Sequence, residues 1–175
     1  MTVDLGLEVF NRLPDVHPRL RSCCASTPWA TRVSAGRPYP SRSALLATSA
    51  AALATLDWSG LRVAVDAHPR IGERMRAPNQ EAAWSHSEQA GMDTATDGTR
   101  AALVEANQAY EDRFGHVFLI CATGRTDVEM LAAARARLGN DDQTERAVVR
   151  AELAKIVALR LGKLLDALTS ERDAP

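Results

Sequence analysis

Alanine and leucine recur along the whole chain, aromatic residues make up only 5% of it, and β-branched residues rarely cluster. Such a chain gains little from the pleated, half-buried surface of a sheet. It loses little side-chain freedom in a helix, so helix is favoured almost everywhere. The expected fold class is therefore all-α, a single compact multi-helix domain. With 175 residues the chain is of single-domain size and can bury most of its apolar surface around one core. No internal repeat or low-complexity linker marks a boundary, so one domain over 1–175, with its core at about 5–168, is expected.

Capping and breaking residues divide that domain. Helices are expected at 5–13, 18–24, 29–35 and 43–56, with Ser41 and Ser43 as candidate caps for the fourth. Further helices are expected at 81–91 and at 99–114, the latter stopped by Gly115. Thr126-Asp127-Val128-Glu129 fits a capping box for a helix reaching about 138. Asp141 or Asp142 can cap a last helix running to about 168. Two stretches read differently. Residues 61–67 alternate like a strand and close at His68-Pro69, and the apolar run 117–122, between Gly115 and Gly124, is expected to be a buried extended segment.

Charge and motif content exclude several functions. A net charge of -1 lacks the basic footprint of a nucleic-acid binder or a polybasic membrane anchor. The longest apolar runs fall short of the roughly 18 residues of a membrane span, and the N-terminus has no basic start followed by an apolar stretch. A cytoplasmic protein is expected. Cys23, Cys24 and Cys121 are an odd set without C-x-x-C spacing, expected to be reduced. His17, His68, His86 and His116 form no metal-binding pair, and neither a serine elbow nor a phosphate-cradling glycine loop is present. No metal site is expected.

Four groups of residues can carry chemistry. On the wheel of the last helix Glu152, Lys155, Lys163 and Asp166 share a polar face. Arg160 falls instead within the apolar arc of Leu153, Val157, Leu161, Leu164 and Leu168. A guanidinium there needs either an ion-pair partner or a polar ligand. Ser85, Glu88 and Gln89 project from one helical face and can bind a ligand rich in N–H and C=O groups, or simply form a solvated face; His86 and Ser87 lie between them, facing solvent or making secondary contacts. His68, at a backbone break, is by residue type the best general acid or base. Finally, the main chain of Phe118, Leu119, Ile120, Cys121 and Ala122 lacks a regular partner and would suit a planar, amide-rich ligand. Asn107, Tyr110 and Phe114 share a helix face that reads as core.

Ala67-His68-Pro69-Arg70-Ile71-Gly72, Ser85 to Gly91, Asn107 through Tyr110 to Arg113-Phe114-Gly115, and Arg160-Leu161 together resemble the 2-oxo-4-hydroxy-4-carboxy-5-ureidoimidazoline (OHCU) decarboxylases. Gly36-Arg37-Pro38-Tyr39 and Gly124-Arg125-Thr126 add to the resemblance, which covers roughly 5–165. It implies an all-helical, cofactor-free carboxy-lyase, usually a homodimer, that converts the ureidoimidazoline to (S)-allantoin at the end of urate breakdown. It implies His68 as proton donor, with Glu88 and Arg160 in the catalytic set. Pro69, Ser85, His86, Ser87, Glu88, Gln89 and the stretch from Phe118 to Ala122 match the family's substrate contacts. His116 departs from the aromatic or apolar residue common there. The alternative is a non-catalytic helical binding or dimerisation module of the same fold, against which the joint retention of His68, Glu88, Gln89 and Arg160 argues.

Overall fold

The structure, a computed structural model, describes residues 4–73 and 80–173. Nine α-helices occur among the described residues, with no strand. Helix α1 (Leu5–Arg12) starts where the Asp4 carboxylate accepts from the Leu7 N–H. Helices α2 (His17–Cys23) and α3 (Thr27–Ala35) each carry proline in their first turn, where its missing N–H costs nothing. Ser41, not Ser43, caps α4 (Arg42–Ala54). They are followed by α5 (Trp58–Asp66), α6 (Gln80–Glu88), a 3₁₀ turn at Ala90–Met92, α7 (Asp97–Phe114), α8 (Asp127–Arg137) and α9 (Asp142–Asp173).

Three expectations are corrected. Residues 61–67 are not a strand: 61–66 complete α5 and Ala67 turns out of it, with Leu61, Ala64 and Val65 buried while Val63 is exposed, the i, i+3, i+4 spacing of a helix rather than alternation. The helix expected over 81–91 stops at Glu88 and tightens into the 3₁₀ turn. The last helix continues five residues beyond 168, to Asp173. Its extra turn is held by paired hydrogen bonds from Arg19 to Glu171, both 2.8 Å, and by the Arg172–Glu8 pair. The capping box at Thr126 and the left-handed Gly115 (φ +72°) stand where the sequence places them.

Internal contacts group the chain into two units, Met1–Leu61 with Ala154–Pro175, and Arg62–Leu153. In the first, Trp29, Phe10, Leu45 and Leu161 are fully buried, and the Trp29 indole N–H donates to Ser49 Oγ at 3.1 Å. A Cβ on Gly6 would lie 2.0 Å from the Leu165 carbonyl, so only glycine lets α1 approach α9 this closely. Arg37 donates to the Phe10 and Leu13 carbonyls at 2.9 and 2.8 Å, satisfying the open end of α1. Asn11 and Tyr39 exchange hydrogen bonds beside it. In the second unit, Ile71, Met92, Leu103, Tyr110, Phe118, Ile120 and Met130 form a core. Glu145, fully buried, accepts from the Tyr110 hydroxyl, from Arg137 and from Asn140. Among the described residues no single helix is long and apolar enough to cross a membrane.

Candidate active site

Helix α5 delivers His68. Leu61, Ala64 and Val65 face inward, and His68 continues that face one turn on, just past the helix end, where Pro69 stops the helix from extending. The His68 N–H donates to the Val65 carbonyl at 3.0 Å, and Nδ1 lies 2.8 Å from the Ala64 carbonyl. A carbonyl can only accept, so Nδ1 carries a hydrogen whether the ring is neutral or charged. The proton gained or lost is then the one on Nε2. His68 is buried, at 9% exposure.

The loop after Pro69 is tied at three points. Arg70 pairs with Glu111 of α7, its guanidinium holding that carboxyl below the ordinary range. The Ile71 carbonyl accepts from Asn107 Nδ2 at 3.1 Å, and the N–H of Gly72 (φ +89°) donates to Gln89 Oε1 at 2.9 Å. Gln89, expected as a substrate contact, thus joins the His68 loop to the end of α6. Ser85 and Glu88 are buried on the inner face of α6, whereas His86 and Ser87 are exposed, with Ser87 Oγ donating back to the Trp84 carbonyl.

At Gly91 the chain beyond α6 meets the loop that follows Ala122. A Cβ there would lie 2.0 Å from the Arg125 carbonyl, which explains why this position is glycine. Arg125 in turn donates through its backbone N–H to the Ala122 carbonyl (3.0 Å) and through Nε to the Cys121 carbonyl (3.2 Å). Two contacts therefore link the three segments of the resemblance: Gly72 to Gln89, and Gly91 to Arg125.

Residues 118–122 are neither helix nor strand, and Phe118, Leu119, Ile120 and Ala122 are buried. The expectation that this main chain lacks partners is corrected in part. Leu119 O accepts from Arg137 Nη1 at 2.7 Å, and Cys121 N–H donates to Glu152 Oε2 at 2.8 Å. Sequence reasoning missed both side chains, and it placed Glu152 on a polar face, although it is only 7% exposed. A signal existed: Glu145 and Glu152 stand seven apart, on the α9 face that also buries Val149 and Ile156.

Asn107, read as core, is buried and fastens the loop, while its Oδ1 meets no partner among the described residues. Residues 70–73 also line a cavity of about 270 Å³ with Met92, Arg100, Leu103 and Asn107; none of the expected site residues lines it. His116 packs edge-on to Tyr110, ring centres 5.4 Å apart, and its Nδ1 donates to the Val117 carbonyl. The imidazole fills an aromatic slot there. Arg160 belongs to the other unit and is fully buried, as its place in the apolar arc requires.

The profile of the OHCU decarboxylase family matches residues 13–162. The chain belongs to the OHCU decarboxylase family. Among relatives, it is 32% identical over 146 residues to the uric acid degradation bifunctional protein TTL of Arabidopsis thaliana, a match covering 81% of this chain and 45% of that protein. The chain thus spans just under half the length of that relative. It is also 32% identical over 138 residues to the 2-oxo-4-hydroxy-4-carboxy-5-ureidoimidazoline decarboxylase of Amia calva, covering 78% of this chain and 79% of the relative. A crystal structure of an OHCU decarboxylase in the presence of (S)-allantoin superposes with a TM-score of 0.73 at 30% identity, covering 83% of this chain and 96% of that one. The all-helical architecture is that of the OHCU decarboxylase family.

Proposed function

We propose that this chain is a carboxy-lyase that converts 2-oxo-4-hydroxy-4-carboxy-5-ureidoimidazoline to (S)-allantoin. The supporting observation is the joining of the His68 loop, the Ser85–Gln89 face and the Phe118–Ala122 segment by the Gly72–Gln89 and Gly91–Arg125 contacts. Family membership carries the substrate class. The match over 13–162 runs through both units, which supports reading 1–175 as one functional domain.

In this reading the substrate's C–CO₂⁻ bond breaks and CO₂ leaves. The electron pair stays on the ring carbon and spreads into the neighbouring carbonyl, the electron sink. His68 Nε2 delivers its proton to that carbon from one face, which fixes the handedness, and takes another from water. The Nδ1 tether to Ala64 aims the ring, and Glu88 accepts from the ureido N–H groups. Arg160 keeps the role that the family resemblance implies for it, a planar fork suited to carboxylate oxygen.

In a trans peptide the N–H and C=O point opposite ways. The Leu119 carbonyl faces Arg137 and the Cys121 N–H faces Glu152, so the Ile120 N–H points away from Arg137 and the Ile120 carbonyl away from Glu152. The N–H and C=O of Ile120, buried and without a partner among the described residues, pair with the ring amides. Pro69 and Ser85 complete the contacts, with His86 and Ser87 at the outer rim. A cytoplasmic homodimer completes the reading.

The deciding experiment adds the protein to freshly generated urate-oxidation product and follows the circular dichroism of allantoin. Optically active (S)-allantoin, formed equally fast with EDTA present, is expected. Racemic allantoin at the spontaneous rate overturns the assignment in favour of a non-catalytic module.

A further inference from the structure

Resting on that reading, we propose that Glu152 is a positioning residue that sets the conformation of the substrate-facing segment. Residues 118–122 have no helix or sheet ladder to hold them, so their shape depends on what binds their main chain. Two structural ties come from side chains of flanking helices: Arg137 of α8 holds the Leu119 carbonyl and Glu152 of α9 holds the Cys121 N–H. Arg137 is itself braced by the fully buried Glu145, which also takes the Tyr110 hydroxyl and Asn140 Nδ2. The Leu119 anchor is therefore built into the core of its unit, and at Cys121 Arg125 holds the carbonyl while Glu152 holds the N–H.

The tie at Cys121 fixes the peptide that joins Ile120 to Cys121. Its N–H points to Glu152, so its carbonyl, that of Ile120, points away, to the side that pairs with the ring amides. Releasing the N–H lets this peptide rotate, and the Ile120 carbonyl loses its aim. The bond to Cys121 requires reach, an acceptor oxygen at the end of a glutamate-length side chain.

Glu152→Gln and Glu152→Asp separate reach from charge, because glutamine keeps the reach without the charge and aspartate keeps the charge but falls one methylene short. With both variants checked for wild-type circular dichroism, Glu152→Gln is expected to stay within about threefold of wild type in kcat/KM and in (S)-allantoin affinity measured by calorimetry. Glu152→Asp is expected to raise KM and weaken (S)-allantoin binding on the order of tenfold, with a smaller change in kcat. Amide exchange at Cys121, read by NMR, should be about tenfold faster in Glu152→Asp and close to wild type in Glu152→Gln.

A reversed order, with aspartate tolerated and glutamine impaired, overturns the proposal in favour of a charge role. Equal behaviour of the two variants also overturns it. The amide-exchange comparison needs neither substrate nor turnover. If wild-type protein forms no allantoin, the decarboxylase reading fails while the exchange order still decides whether Glu152 sets the segment.

Discussion

At the scale of single residues, His68 shows how a local backbone decision prepares a side chain for chemistry. Proline at 69 ends α5, and the imidazole turns back onto the Ala64 carbonyl, so one ring nitrogen is used for orientation and the other is kept for proton transfer. His68→Asn places an amide N–H where Nδ1 was but has no titrating group. It is expected to fold with wild-type circular dichroism and to lose on the order of 10²–10⁴-fold in kcat, with a smaller change in KM. Wild-type rate and product handedness in this variant would assign the proton to another residue.

At the scale of elements, the site depends on how close the turns between helices can come. Gly91 is the tightest case in the second unit, because any Cβ would press into main chain at Arg125 rather than a movable side chain. Gly91→Ala must push apart the end of α6 and the loop after Ala122. It is expected to cost about 1–3 kcal/mol by denaturant unfolding and to raise KM, since Ser85 and Glu88 then shift relative to Ile120. Gly115 offers the contrast. A Cβ there meets nothing, and glycine is favoured only by the left-handed backbone that ends α7. Unchanged stability and KM in Gly91→Ala would show that the close approach is not needed.

Over the whole molecule, ion pairs in both units share one pH dependence. The Asp4 carboxyl is held below its ordinary value by Arg42, Glu171 by Arg19 and Glu111 by Arg70. Each folded-state value is depressed, so each pair stabilises the fold fully above the ordinary carboxylate range and loses that contribution as pH falls through the depressed value. These pairs are partly exposed and screened, so each is worth at most about 1 kcal/mol. In urea unfolding, Glu111→Gln is expected to be less stable than wild type by up to about 1 kcal/mol between pH 6 and 7, with the difference closing below about pH 4. A difference that grew on acidification would contradict the sign. The buried Glu145–Arg137 pair is of another kind, enclosed and multiply hydrogen-bonded, and removing one partner there leaves a charge with no water to take it.

The all-helical class, most helix boundaries, the caps at Ser41 and Thr126 and the burial of Arg160 were legible in the chain, because propensity, capping and periodicity act within a few residues of sequence. So was the family, since the motifs that carry the resemblance lie in order along it. Residues 61–67 were misread because alternation over a few apolar residues fits either period, and burial of Leu61, Ala64 and Val65 settles it only in three dimensions. Glu152 looked like part of a solvated face, and nothing local marked Gln89 as the acceptor for the Gly72 N–H. A helical wheel shows which residues share a face but not what lies against it, and a main-chain N–H 31 or 17 residues away in the sequence leaves no mark on the local pattern. Tertiary structure alone decided which polar side chains turn inward to hold irregular backbone, because an N–H or C=O buried outside helix or sheet must be met by whatever group the fold brings to it.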